Sequence, residues 1–467
     1  MGSPLPAALF LLVLLAGITT SPAIAGSSMM FRMNPGHTGD YSSVSGGIPT
    51  NNGLKWIFTT EDAGGGIVSS PAVVDGVVFV SAGDARIYAL DAVTGTELWN
   101  FTTGNVVYSS PVVAGGVVYV GSHDNNVYAL DAGTGTLVWN FTTGNIVYSS
   151  PAVADGVVYV GSYDNNVYAL DAVTGTLVWN FTTGNAVCSS PAVANGVVYV
   201  GGLDMKVYAI DAMTGNELWN FTTGNPVGSS PAVAGGVVYA GSYDNKVYAI
   251  GAMTGNELWN FTTGNPVYSS PALANGIVYV GSSDGNVYAL DAWTGNELWN
   301  FATGSAVGSS PAVADGVVYV GNDRGTRVYA IDGVTGKEVW NYTTGSIVYA
   351  SPAVADGVVY VGSWIYFYAL GVPEPYARFS ATPTSGITPL IVSFIDLSTN
   401  NPTLWNWSFG DGTFSETQNP VHPYIQPGSY PVILTASNAE ESRTSLRQII
   451  TVTSPPPRPP RRPRGGA

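Results

Sequence analysis

Two series of carboxylates recur along this chain about every forty residues. One runs Asp124, Asp164, Asp204, Asp244 and Asp284; the other runs Asp91, Asp131, Asp171, Asp211 and Asp291. Carboxylate oxygens are calcium ligands, but Ca²⁺ takes about six to eight oxygens and each of these side chains stands in a short turn that offers few. Asp in such a turn bonds its own backbone instead. Gly251 replaces the second-series Asp once, so that position is dispensable. The histidines His37, His123 and His422 have no ligand spacing, and Cys188 is the sole cysteine. It can neither pair nor build a cysteine metal site. No Gly-x-Ser-x-Gly nucleophile motif occurs. The residues therefore assign no catalytic group, no metal and no cofactor.

A covalent possibility also recurs. Asn100, Asn140, Asn180, Asn220, Asn260, Asn341 and Asn406 each open an Asn-x-Ser/Thr sequon, the acceptor pattern for N-glycans in exported proteins. An ancestral sequon copied with its repeat explains the same series, and the two explanations are compatible.

The elements that position these groups follow from the repeat SSPAVADGVVYVGSYDNNVYALDAVTGTLVWNFTTGN, whose proline returns at Pro71, Pro111, Pro151, Pro191, Pro231, Pro271, Pro311 and Pro352. Such a period indicates a propeller, solenoid or array. Each unit holds four extended segments: SSPAV, VVYVGS, VYALDA and LVWNFTT. Asp155-Gly156 marks a two-residue hairpin between the first two, and Val173-Thr174-Gly175 joins the last two. The second segment is almost wholly apolar, as in a strand covered on both faces, whereas Trp179-Asn180-Phe181-Thr182 alternates as a half-wet outer strand does. Four-stranded sheets stacked around an axis satisfy both patterns. The last unit ends at Leu370 without a fourth segment, while an unpaired one, Leu54 to Thr59, precedes the first unit. The expectation is an all-β fold: an eight-bladed β-propeller over 54–371, closed by its N-terminal strand with Trp56 completing the last blade.

The run ALDAxTGxxxWNF after VVYVGS resembles the repeat of the pyrroloquinoline-quinone (PQQ)-like propeller family. Met30-Phe31-Arg32-Met33-Asn34-Pro35-Gly36-His37-Thr38-Gly39 resembles a lead-in segment of its secreted members, placing the lead-in at 26–53. The resemblance implies one enzymatic alternative, a quinoprotein dehydrogenase. That activity would bring Ca²⁺ beside the quinone, a carboxylate base and usually a cysteine pair, of which none is visible. After a linker at 372–375, residues 376–453 resemble a PKD domain, an immunoglobulin-like β-sandwich, through Trp405-Asn406-Trp407-Ser408-Phe409-Gly410-Asp411-Gly412 and His422-Pro423-Tyr424. Glu440-Glu441 depart from the pattern at one turn. Such domains imply a spacer or adhesion module outside the cell.

Charge narrows the partners. A net charge of -16, with four of the 15 basic residues in the last ten positions, argues against nucleic acid. The apolar run Ala7 to Ile18 followed by Ala23-Ile24-Ala25 reads as a signal peptide over 1–25, and no later run is long enough to insert the mature chain in a membrane. The Pro/Arg-rich tail 454–467 cannot bury a core.

Comparing the copies locates a binding face. In a four-stranded meander the loops before the first strand and between the second and third strands share one rim. There the copies vary: Val68, Tyr108, Tyr148, Cys188, Gly228, Tyr268, Gly308 and Tyr349 at one position, and Gly83, His123, Tyr163, Leu203, Tyr243, Ser283 and Trp364 at the other. Turns on the opposite rim look nearly uniform. The candidate binding rim is thus Tyr108, His123, Tyr148, Tyr163, Tyr243, Tyr268, Tyr349 and Trp364, since aromatic rings give contact area at low entropy cost. The alternative is that these rings plug the channel. The functional expectation is a non-catalytic scaffold, secreted or at the cell surface, that binds an envelope protein or polysaccharide. A purely structural envelope component is the further alternative.

Overall fold

Alternation and turn chemistry produce 41 strands in the computed structural model, with no helix among the described residues. The structure describes residues 34, 37–39, 53–60, 65–371, 377–398, 402–438, 442–445 and 447–455. The expected signal peptide and linker, most of the lead-in, the turn at Glu440-Glu441 and the tail beyond residue 455 lie outside them.

Eight antiparallel four-stranded sheets form the blades. The third blade is typical: Ala152–Ala154 innermost, then Val157–Gly161, Asn166–Asp171 and the outer strand Leu177–Thr182. Its first hairpin turns through Asp155 and Gly156, both at positive φ (50° and 78°), the geometry that Asp-Gly favours. The second strand is buried along nearly its whole length, and the outer strand alternates exposed and covered residues.

The eighth blade is built from both ends of the propeller. Ala353–Ala355, Val358–Gly362 and Tyr366–Leu370 supply three strands, and Leu54–Thr59 is the fourth. Trp56 pairs with Ala369 and Leu54 with Leu370, skipping Lys55. Each other blade has the same one-residue bulge, as where Trp179 pairs with Ala169 and Leu177 with Leu170. The clasp therefore repeats the interior register. Innermost strands touch their neighbours all round the ring, and Ala72–Val74 meets Ala353–Ala355 to close it.

Three devices recur between neighbouring blades. The Trp139 indole N–H and the Tyr119 hydroxyl both donate to the Ala172 carbonyl of the following blade, each at 3.0 Å. Trp56 and Tyr360 share the Ala92 carbonyl in the same way, at 3.0 and 3.2 Å. Gly175, at φ 71°, lies against the Trp139 ring where any Cβ would intrude. The inner strands are also laced by serines. The Ser70 backbone N–H donates to Ser110 Oγ, Ser110 to Ser150, and so on through Ser190, Ser230, Ser270 and Ser310 to Ser351.

The lead-in has a role that its sequence did not disclose. Leu273 and Val313, on the inner strands of the sixth and seventh blades, donate their backbone N–H groups to the Thr38 and Gly39 carbonyls at 2.6 and 2.8 Å. Residues 37–39 thus run along the channel wall, with His37 fully buried.

The C-terminal domain packs a three-stranded sheet (Phe379–Thr382, Leu390–Asp396, Val421–Tyr424) against a larger one that includes Leu404–Ser408, Gly428–Ser437 and Gln448–Thr453. Its core holds Trp407, Phe394, Tyr424, Leu434 and Ile450. His422 lies flat on Phe409 at 4.1 Å and meets the Asp411 carboxylate at 2.7 Å.

Candidate functional site

The loop before each inner strand is tied to the loop between the second and third strands of the same blade. The N–H groups of His123, Tyr163, Tyr243, Asp323 and Trp364 donate to Val106, Ile146, Pro226, Ala306 and Ile347 carbonyls at 2.8–3.0 Å. This bond sets the two variable positions side by side, facing the propeller axis.

The outcome is one open cavity of about 520 Å³. All eight residues of the first variable position line it, from Val68 to Tyr349, joined by Tyr163, Tyr243, Trp364 and Asp323. Tyr108, Tyr148, Tyr163, Tyr243, Tyr268, Tyr349 and Trp364 thus come together. The rings form separate groups: Tyr108, Tyr148 and Tyr163 at 6.2 and 6.4 Å, Tyr243 with Tyr268 at 4.5 Å, and Tyr349 with Trp364 at 6.3 Å.

His123 departs from the expectation. It does not line the cavity; it stands edge-on to Tyr108 at 5.0 Å and 5.8 Å from Tyr148, with Nε2 buried and unpartnered. Burial holds its pKa below the usual histidine value, so the neutral ring is a wedge behind the tyrosines. The opposite rim also differs. Its turns share one backbone, but Val93, Val173, Met213, Met253, Trp293 and Val334 project from equivalent positions with 62–92% of their surface exposed.

Asp323 is the lining residue that comparison of the copies missed. It occupies the place of Tyr163 in the seventh blade, where one extra residue lengthens the loop Asn322-Asp323-Arg324-Gly325-Thr326. Its Oδ1 accepts the Gly308 N–H at 2.9 Å. A side chain on Gly308 would overlap this carboxylate, just as one on Gly228 would overlap the Tyr243 hydroxyl. Glycine at the first position therefore lets the second residue lean inward, a sequence signal that would have found Asp323. Burial pushes the Asp323 carboxyl up to about 6. It also raises the Tyr148 and Tyr243 hydroxyls, Tyr163 to about 12 and the Cys188 thiol to about 11, so Cys188 is not a thiolate at neutral pH.

The recurrent carboxylates are turn fixtures. Asp124 accepts Tyr128 Oη and Gly104 N at 2.7 Å and Asn126 N at 3.0 Å, while Asp91 Oδ1 accepts Thr94 N, Thr94 Oγ1 and Val93 N. Hydrogen bonds from Thr94 hold Asp91 below the usual carboxylate range. No group of three metal-ligating side chains occurs among the described residues. The sequon residues Asn100, Asn140, Asn180, Asn220, Asn260 and Asn406 are exposed, and Asn341 is half-buried.

The family model for the β-propeller of beta-alanine-activating enzyme matches residues 114–277 and 157–365, together more than half of the chain. The model described as outer membrane protein assembly factor BamB matches 43–147, and the PKD domain model matches 372–454. Lupanine 17-hydroxylase [cytochrome c] from a Pseudomonas species is 46% identical over 52 residues, which are 11% of this chain and 7% of that protein. BamB from Moraxella catarrhalis superposes with a TM-score of 0.59 at 18% identity, covering 68% of this chain and all of that one. Quinohemoprotein alcohol dehydrogenase from Comamonas testosteroni gives 0.63 at 17% identity, covering 73% of this chain and 80% of that one. With matching repeats, a ring of eight four-stranded sheets and a separate β-sandwich, this chain belongs to the PQQ-like β-propeller family and carries a C-terminal PKD domain.

Proposed function

We propose that this protein is a non-catalytic binding scaffold, secreted or held at the cell surface, that takes an envelope protein or polysaccharide at the aromatic mouth of its propeller. The observation that carries the reading is the gathering of the most variable loop positions into one open cavity of about 520 Å³, the size range of ligand sites. The open cavity favours binding over a plugged channel. The BamB likeness, a protein named for assembling outer membrane proteins, and the PKD domain both suit an envelope setting.

The quinoprotein relatives favour a second reading, and the donor set of the mouth argues against it. PQQ is a flat tricarboxylate that requires cationic partners and Ca²⁺ ligands, whereas among the described residues no Lys or Arg lines the mouth and its one carboxylate is Asp323. Cys188 has no partner cysteine. Incubation with PQQ and Ca²⁺ followed by gel filtration should leave the protein without quinone absorbance; a stoichiometric retained chromophore would reverse this preference. The structural alternative predicts self-assembly into sheets without ligand.

Replacing Tyr148, Tyr163 and Tyr243 together with Ser should weaken binding to immobilised envelope polysaccharide or solubilised envelope protein at least about tenfold, as loss of aromatic anchors does. Tyr148 retains 44% of its surface, so its share of the stability cost should be small. Unchanged binding, or loss only when Val173, Met213 and Trp293 are altered, would move the site to the other rim.

The sequons yield a separate expectation. On native material we expect intact mass to exceed that of the processed polypeptide by whole glycan units, since Asn180 and its equivalents lie on the wet face of the outer strands. A mass equal to the bare chain would remove that modification.

A further inference from the structure

We propose that the mouth receives a lysine side chain of a partner polypeptide, with Asp323 as counter-ion and the tyrosine rings as an aromatic wall. This deepens the binding reading above and rests on it. Among the described residues Asp323 is the one charged side chain in the lining, and it sits in the seventh blade between the blades that bear Tyr268 and Tyr349. The electron-rich ring faces attract organic cations, and tyrosine adds hydroxyls that can bond a peptide backbone at the rim. The chain's net charge of -16 steers cations towards the molecule.

The placement of the carboxylate favours lysine over an amino sugar. The half-buried carboxylate leans inward over Gly308, which favours a ligand that carries its charge on a slim stem. Lysine has that stem, whereas the ammonium of an amino sugar is fixed directly to a bulky ring. The shifted titratable groups at the mouth do not compete: burial raises the Tyr148, Tyr163 and Tyr243 hydroxyls and the Cys188 thiol, and it lowers His123 behind Tyr108, so all stay neutral at pH 7. Arg324, next in the chain, is exposed and attracts Asp323 without forming an ion pair with it.

Titration calorimetry of the full chain at about 0.15 M salt, where long-range attraction is screened, tests the assignment. The probe is Nα-acetyl-lysine methylamide, compared with its norleucine counterpart, which has the same stem without the charge. We expect the lysine probe to bind at least about tenfold more tightly, from the pairing of one cation with a carboxylate and ring faces. Asp323→Asn, which keeps an acceptor for the Gly308 N–H, should abolish that preference. Tyr268→Leu, at a side chain that is 47% exposed, should reduce it several-fold even if the Asn variant folds poorly. Lysine binding should also weaken as pH falls from 7.5 to 5, because protonation of Asp323 near 6 removes the counter-ion.

Equal binding of the two probes, an unchanged preference in both variants, or tighter binding of glucosamine than of the lysine probe would overturn the proposal. If the lysine arm fails while the triple tyrosine variant still loses envelope binding, the mouth remains a binding site and only its ligand chemistry is wrong. If both fail, the binding reading falls as well.

Discussion

A chain lacking residues 26–60 should lose cooperative thermal unfolding, and the point variant Trp56→Ala should lower the melting temperature by roughly 10 °C. Removing the N-terminal strand strips the Tyr366–Leu370 edge of its partner along its whole length. It also empties a buried cluster in which Trp56 joins Ile67, Val78 and Tyr88 of the first blade to Val358, Tyr360 and Phe367 of the eighth. A buried Trp→Ala change costs about 3–5 kcal/mol, and each kcal/mol moves the midpoint of a domain this large by about 2–4 °C. Trp179→Ala is the matched control. Trp179 is 9% exposed and Trp56 8%, and both donate to the alanine carbonyl of the next blade, but Trp179 lies inside continuous chain. Equal losses would mean that the clasp is as well formed as any interior blade. A silent Trp56→Ala beside a damaging Trp179→Ala would show an open ring in solution, with a free strand edge and the aggregation that such edges invite.

The clasp was legible because a repeat can be counted: a fourth segment was missing at one end and spare at the other. The mouth was legible for a related reason. Copies that agree elsewhere isolate the positions that differ, and one loop bond brings those positions to the axis. Asp323 escaped because the seventh unit spans 41 residues from Pro311 to Pro352, one more than its neighbours, and its lengthened loop has no simple counterpart. The packing role of His123 escaped because its variable position and aromatic ring placed it with the rim residues, whereas its depth behind Tyr108 follows only from the assembled ring. The bonds from Leu273 and Val313 to Thr38 and Gly39 use backbone groups on both sides, so no residue type marks them. Sequence thus discloses what side-chain identity or count encodes, and it is silent where tertiary geometry brings backbone to backbone.

A second large effect is expected at the docking glycines, and two of them allow a controlled comparison. Gly156 and Gly175 have nearly the same backbone conformation, with φ 78° and 71°, and both belong to the third blade. An alanine at either position meets the same left-handed penalty of about 1–2 kcal/mol. They differ in surroundings. Nothing lies within 4 Å of a Cβ on Gly156, whereas one on Gly175 would stand 2.6 Å from Cδ2 and 2.7 Å from Cε3 of Trp139. The indole cannot retreat without giving up its 3.0 Å bond to the Ala172 carbonyl, so the blades must separate. Overpacking of this kind costs about 1–3 kcal/mol more. Gly175→Ala should therefore melt roughly 5 °C below Gly156→Ala, with a change in tryptophan fluorescence that the Gly156 variant lacks. Equal midpoints would mean that the ring contact does not hold the blades at their spacing. The consequence reaches the mouth, because Tyr148 and Tyr163 ride on the third blade while Tyr108 and His123 ride on the second, with the Tyr148 ring 6.2 Å from Tyr108 and 5.8 Å from His123. A wedge at Gly175 shifts one set against the other. Ligand binding should fall in Gly175→Ala and persist in Gly156→Ala, although neither residue touches the cavity.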